Sequence, residues 1–398
     1  MSFYRILVLI LIFASPYLFG QELSGNIAIE GRLFPESPLS DEQHGSSLSL
    51  SMKPELYYDW DGGYQSILFV PFFRLDQYDE DRTHFDIREL FWTYSSNDWE
   101  LKTGIGQIFW GVTESQHLVD IINQTDFVES IDGEKKLGQP MVNFALIQDW
   151  GTLDLFILPG FRERTFQGRK GRLRFPFLID KDNPVYQTEA EYKHIDFASR
   201  YSHTIGSIDF GVSYFYGTSR EPRFSFNFEA PQNPKIIPIY DIIHQAGLDL
   251  QYTSEEGWLW KLESIVRRSR AKQFFSVTGG FEYTFYNISE TGLDIGLLAE
   301  YLFDDRDQNY FSPNPFNNHI FAGTRLAFND VQSTDLLAGA LVNYRTGSTF
   351  ITVEGSRRIG ESFKLILEVR AFTNIPADDF FYGFRKDGHI KLDLEWYF

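Results

Sequence analysis

Glu114, Ser115 and His117 fall within four positions and supply the side-chain types of an acid–nucleophile–base set. Acyl transfer needs those groups to converge, and the segment holding them reads as a short helix. On a helix, residues one or two apart do not face each other, so no triad is expected. Asp304 to Asn309 (DDRDQN) has oxygen ligands at calcium-like spacing but lacks the glycine and closing glutamate of an EF-hand loop. It reads as an acidic, solvated loop. Histidines stand at 44, 84, 117, 194, 203, 244, 319 and 389, and no pair has zinc-motif spacing. The chain has no cysteine, which excludes thiolate metal sites and thiol catalysis. No nucleophile elbow or phosphate-cradling glycine loop is present. The expectation is a protein without cofactor, metal or enzymatic activity.

Two polar clusters could act on a passing solute instead of on a bond. The first lies in Asp98–Phe127. It starts as a strand, with Trp99, Leu101, Thr103 and Ile105 on one face and Glu100, Lys102, Gly104 and Gly106 on the other. Alternation stops after Gln107–Gly111. Thr113 and Gln116 then have the spacing of a capping box, and Leu118, Ile121 and Ile122 recur at helical spacing. Gln107, Trp110, Gly111, Glu114, Asp120, Asn123 and Asp126 are the candidate constriction of a pore. In that reading Trp110 and Gly111 turn the chain away from a wall, Gly104 and Gly106 leave room for it, and the acids narrow and charge the passage. The alternative is a loop lying on the rim. The second cluster, Arg162, Arg164, Arg169, Lys170, Arg172 and Arg174, has one acid, Glu163, in its midst. It could hold lipopolysaccharide phosphates, capture an anionic solute at a mouth, pair with the acidic excursion, or be a solvated hairpin.

The elements that must position these clusters are strands. From Gln21 onward, alternating segments of crossing length follow one another, bounded by turn residues. About eighteen (16–18) are expected, and the connections after even-numbered strands are all short while several after odd-numbered ones are long. That asymmetry defines an all-β, transmembrane, antiparallel up-and-down barrel with short periplasmic turns and long extracellular loops. The connection from Gly217 to Pro238 holds four prolines and is expected to be unpaired. The last strand sets Ile390, Leu392, Leu394, Trp396 and Phe398 against Lys391, Asp393 and Glu395. Charge facing lipid at mid-depth costs about 2–4 kcal/mol for Lys or Arg, so the charged faces belong to the lumen. Phe85–Tyr94 does not sort this way, which points to a bulge or to burial against an inserted loop. Aromatics at 17%, including 39 Phe and 21 Tyr, suit interfacial belts, and mean hydropathy of −0.27 suits an apolar face spread over strands. A net charge of −19 makes nucleic acid a poor partner.

Residues 1–20 read as a signal peptide: Arg5, an apolar stretch from Ile6 to Ala14, then Pro16 and Gly20. Residues 21–398 form one expected outer-membrane barrel domain with an inserted loop at about 110–138. Trp396-Tyr397-Phe398 resembles the aromatic-ended strand of bacterial outer-membrane proteins, which implies recognition by barrel assembly machinery. Arg88-Glu89, Gly104, Gln107, Trp110, Gly111, Glu114, Asp120, Asn123 and Asp126 resemble the pattern of a largely uncharacterised group of porin-like barrels. Those relatives often carry a basic residue after the first glycine, where this chain has Ile105. The resemblance implies a porin-like channel in a Gram-negative outer membrane. Passive diffusion of small hydrophilic or amphipathic solutes, narrowed by loop 111–127, is the expected function. Outer-membrane lipids, lipopolysaccharide and a small-molecule solute are the expected partners. The rival is a non-conducting barrel serving as a structural or adhesion anchor.

Overall fold

The computed structural model describes residues 21–227, 235–270 and 272–398. The signal-peptide expectation lies outside them. Among the described residues, eighteen strands make the wall. They are β1 (Gln21–Leu33), β2 (Ser46–Trp60), β3 (Gln65–Asp76), β4 (His84–Ser95), β5 (Trp99–Gly106), β6 (Gln139–Gln148) and β7 (Gly151–Pro159). There follow β8 (Ile195–Ile205), β9 (Ile208–Thr218), β10 (Ile242–Thr253), β11 (Trp258–Ser269), β12 (Lys272–Ile288) and β13 (Leu293–Asp304). The last are β14 (His319–Ala327), β15 (Asp335–Asn343), β16 (Thr349–Ile359), β17 (Phe363–Thr373) and β18 (His389–Tyr397).

Each strand pairs antiparallel with its neighbours, and β1 also pairs with β18, from Asn26↔Tyr397 to Leu33↔Ile390. The sheet therefore closes and leaves no edge, which is the condition for strands to cross a bilayer. All even-numbered connections are short, and the long ones gather at the other end.

Side chains sort by face as the alternation requires. On β18, Ile390, Leu392, Leu394 and Trp396 stand exposed on the outside. Lys391 points inward and meets Glu368 of β17 at 2.8 Å. Aromatic pairs mark the short-turn rim: Tyr58–Trp60 at 5.6 Å, Tyr94–Trp99 at 5.1 Å and Trp150–Tyr201 at 6.0 Å between ring centres. Such rings suit the bilayer interface, apolar on one side and wet on the other.

The irregularity of β4 has both expected causes. Its register with β3 shifts at Val70/Pro71, so that Val70 faces Glu89, Pro71 faces Ile87, and Arg88 is unopposed. The shift reverses the parity of the strand. Asp86 and Arg88 before it, and Phe91 after it, are all buried within the barrel against the inserted loop.

Two expectations are corrected. The helix expected after Thr113 is absent; residues 107–138 are irregular. The proline-rich connection after β9 is not unpaired, because Arg223–Asn227 and Lys235–Tyr240 form a hairpin outside the wall. Pro238 falls between two short parallel bridges, Lys235↔Leu178 to Ile236↔Ile179 and Ile239↔Val185 to Tyr240↔Tyr186. Its missing N–H disrupts neither.

Candidate functional site

The fifth connection, residues 107–138, runs across the inside of the barrel. At Gly111 the backbone has φ +150°, and an added Cβ would lie 2.9 Å from His117 Nδ1 and 3.0 Å from Glu263 Oε1. Glycine is what lets the chain pass this close to the far wall. There Glu263 of β11, fully buried, accepts from the Val112 and Thr113 amides at 2.7 and 3.0 Å, from Thr113 Oγ1 at 2.8 Å and from the Val119 amide at 3.2 Å. Glu300 of β13 accepts from the Glu114 and Ser115 amides, both at 2.8 Å, and from Ser115 Oγ. The amides of residues 112–115 are donors that a helix starting at Thr113 would itself leave unpaired; the Val119 amide, which a helix would turn on the Ser115 carbonyl, is taken by Glu263 instead. Thr113 Oγ1 also donates to the Gln116 carbonyl, so it caps nothing.

Asn123 holds the base of the loop. Its Oδ1 accepts from the Ile108 amide at 2.8 Å, and its Nδ2 donates to the Gly106 and Leu137 carbonyls at 2.7 and 2.8 Å. Farther on, a group of arginines from β1, β3, β4 and the connection between β3 and β4 receives the chain. Arg88 meets Asp126 at 2.7 Å, and Arg74 meets Glu129 at 2.8 Å. Arg32 and Arg82 donate to the carbonyls of Glu129 and Val128. Burial alone would raise the Glu129 carboxyl's pKa, but the Arg74 and Arg82 charges outweigh it and hold it below its ordinary value. The tip then reaches β17, where Asp132 accepts from Arg370 at 2.9 Å.

Apolar packing fixes the loop to one side. Trp110, Leu118, Val119, Ile121 and Ile122 form a buried cluster with inward residues of β4 and β6 to β12, among them Met141, Phe156, Phe215 and Ile265. The opposite side differs. Along β15, β16 and β17 nearly every residue keeps some solvent contact, on both faces. Arg325 of β14, Thr352 and Glu354 of β16 and Arg370 of β17 make a polar inner face, with the Glu354 side chain 45% exposed.

The expected site residues divide accordingly. Trp110 is buried edge-on against Phe156, Asn123 is the staple, and Asp126 is fully buried between Arg88 and Thr165. Gln107 donates to the Lys136 carbonyl, and Asp120 pairs with Lys136 at 2.9 Å. Burial raises the Asp120 carboxyl's pKa, and the Lys136 charge opposes this without cancelling it. Glu114 alone of the three acids reaches the polar side, where it meets Arg325 at 2.7 Å. Gly104 and Gly106 do not clear space for the loop: a Cβ on Gly106 would lie 1.7 Å from the Phe91 ring, and one on Gly104 would strike the Leu90 carbonyl.

The basic cluster is not one surface. Arg162 pairs with Asp86 at 2.7 Å, Arg172 with Asp387 at 2.8 Å, and Arg164 donates to Gln124 and to the Arg220 carbonyl. Arg174 binds backbone carbonyls, while Arg169 and Lys170 stay exposed. The cluster does touch the excursion, through Thr165 to Asp126 at 2.6 Å, but not by charge pairing with its acids.

Residues not singled out from sequence include Glu263, Glu300, Arg325, Glu354 and the arginines of β1 and β3. Their signal was the charged face of each strand, which states orientation but not partner.

A closed eighteen-stranded antiparallel wall with a long connection folded inside is the architecture of porin-like outer-membrane β-barrels, and this chain has that fold. The BenF-like porin from Pseudomonas fluorescens Pf-5 is similar to it with a TM-score of 0.56 and 10% identity, over 95% of this chain and 97% of that one. Pseudomonas aeruginosa OccK11 (OpdR) is similar with a TM-score of 0.51 and 11% identity, over 95% of each chain. No family model matches the sequence, and no curated protein matches it.

Proposed function

We propose that the protein is an outer-membrane channel for passive diffusion of small hydrophilic or amphipathic solutes. The observation that carries this reading is the position of loop 107–138 inside a closed wall, packed against β4–β12 and facing a polar, partly exposed inner surface on β14–β17. Water and solute pass between the loop and that surface. Glu114–Arg325 and Asp132–Arg370 are ion pairs between the loop and that surface, so the constriction is ion-paired and not a bare acidic ring. Only a solute gradient drives transport. Lipids cover the outer apolar face, and Trp396, Tyr397 and Phe398 at the end of β18 serve as the assembly signal.

Single-channel recording in planar bilayers tests the function. Ohmic openings are expected, and deletion of Gly111–Phe127 is expected to raise conductance. Because that deletion uncovers apolar wall, the Glu114→Gln/Asp132→Asn pair provides a milder opening, and it too is expected to raise conductance. A stable but silent wild-type barrel would favour the anchor instead.

A further inference from the structure

Among the described residues, the outward face of the wall from β8 to β13 carries a single charged side chain, Arg268, near the long-loop end of β11. Its neighbour shows the contrast. Arg267 points inward, is buried, pairs with Glu221 at 2.9 Å and donates to Gln245 at 2.7 Å. Arg268 is exposed and makes neither an ion pair nor a hydrogen bond among the described residues. Strand register fixes its depth. Arg268 stands level with His244 of β10 and Gln273 of β12, and His244 with Tyr216 of β9. One row nearer the short turns are Tyr214, Ala246, Val266 and Phe275, of which the tyrosine, valine and phenylalanine are exposed. A polar row directly above exposed apolar rows, with tyrosines between them, is the pattern of a membrane interface. A cation on the lipid side is tolerated there and becomes costly toward mid-depth.

Arg268 borders a groove of about 550 Å³ on the outside of the wall, lined also by Gln187, Tyr216, Ile242, His244 and Arg270. No carboxylate lines it. His244 Nδ1 is joined to the Tyr214 hydroxyl at 2.7 Å and its ring lies 4.8 Å from that of Tyr216, while Nε2 has no partner among the described residues. Gln187 accepts from the Ile242 amide through Oε1 at 3.0 Å, which leaves its amide nitrogen to donate. Arg270 is engaged with Asp241 at 2.8 Å and adds no free charge. The groove thus offers one uncompensated cation and neutral donors, directly above apolar wall. In an outer membrane the long-loop end meets the outer leaflet. A phosphate at the head of a lipid complements the guanidinium through charge-assisted hydrogen bonds, and only a lipid also covers the apolar rows beneath.

We infer that this groove seats the phosphorylated head of an outer-leaflet glycolipid, the lipid A part of lipopolysaccharide, with a phosphate on Arg268 and His244 and acyl chains over Val266 and Phe275. The site lies on the outer surface, so it belongs to a conducting barrel and to a silent one alike. It also moves the phosphate contact away from the loop after β7, whose exposed cations, Arg169 and Lys170, are the competing candidates.

Native mass spectrometry of the full-length barrel released from maltoside micelles tests it, with lipid A, the same lipid stripped of its phosphates, and inorganic phosphate as probes. Saturable binding of lipid A about tenfold tighter than that of the stripped lipid is expected. Arg268→Gln should reduce this preference about fivefold, and Arg268→Lys, which keeps the charge, should retain most of it. His244→Phe keeps a ring without the nitrogens and should reduce the preference about twofold. The Arg169→Gln/Lys170→Gln pair should leave it unchanged. Equal binding of the two lipids by the wild type overturns the inference, as does a preference that survives Arg268→Gln or is lost in the loop pair instead. Displacement of lipid A by an equal concentration of inorganic phosphate also overturns it, because the occupant is then a free anion and not a lipid.

Discussion

Glu263 shows how one side chain decides a local conformation. It is a fully buried carboxylate whose four protein donors all come from residues 112–119, 144–151 positions away in sequence. Hydrogen bonds to a charged group contribute about 1.5–3 kcal/mol each. Glu263→Gln keeps the size but removes the charge and turns one oxygen into a donor facing donors. Residues 111–119 are expected to detach, raising conductance and open-channel noise in bilayer recordings; unchanged traces would show that apolar packing alone holds them. His117 adds a pH dependence. Burial would lower its imidazole pKa, but hydrogen bonds to Glu134 and Glu263, and their charges, raise it to about 10. A raised cation pKa means that its contribution to docking is complete below the ordinary 6.5 and fades as pH rises through about 10. Wild-type conductance should therefore step up between pH 9 and 11, on the order of that transition, and the step should be missing in His117→Gln. That comparison separates His117 from the neighbouring Lys136–Asp120 pair, which the substitution leaves in place. Sequence spacing suggested a capping box at Thr113 because local donors and acceptors were the only ones visible. The acceptor that prevails lies on another strand.

At the scale of the element, strand order, turn parity and the faces of β13, β17 and β18 were legible because each depends on alternation within a few residues. The trouble in β4 was legible as trouble: Asp86, Arg88 and Glu89 break the alternation, and the bulge at Pro71 with the loop behind it explains why. What could not be read was pairing. Arg162 to Arg174 look like one basic patch along the chain, yet Arg162 belongs to Asp86 and Arg172 to Asp387, 215 positions on. Likewise Asp126 looked like a pore acid and is an anchor for the inserted loop. Breaking a buried ion pair by removing one partner costs about 3–5 kcal/mol. Asp126→Asn should lower thermal stability measured by loss of the strand signal in circular dichroism, while Glu114→Gln, on a partly exposed pair, should change it by less than about 1 kcal/mol. Equal effects would place Asp126 with the solvent-facing acids after all.

For the molecule as a whole, the inner surface is split. The sequence announced a barrel with charged inner faces, and β16 to β18 follow that rule, whereas β13 to β15 mix the inward Glu300 and Arg325 with a buried apolar cluster of Leu298, Leu302, Phe321 and Leu341. Strands β6 and β7 do not follow it, because Met141, Ala145, Phe156 and Leu158 point inward while Phe144, Leu155 and Ile157 stand exposed outside. Both faces of these strands carry apolar residues, as in strands buried on two sides, because the inserted loop serves as a second layer there; the inward polar residues Gln139, Asn143 and Asp154 lie between them, with Asn143 donating to Asp154. Under the proposed channel function, a lumen lined in this way would conduct on one side only. The absence of cysteine makes this testable residue by residue. Single cysteines at Thr352 and Glu354, on the polar side, should react readily with a charged, water-soluble methanethiosulfonate in the folded, reconstituted barrel, and their modification should lower conductance. Cysteines at Met141 and Ala198, under the loop, should react on the order of a hundredfold more slowly, the slowing that a docking free energy of about 2.7 kcal/mol imposes when only the undocked form is accessible. In combination with Glu263→Gln the Met141 and Ala198 positions should become reactive while Thr352 and Glu354 keep their rates. Equal reactivity at all four positions in the unaltered loop background would mean that water surrounds the loop on every side, and that the split surface does not define the path.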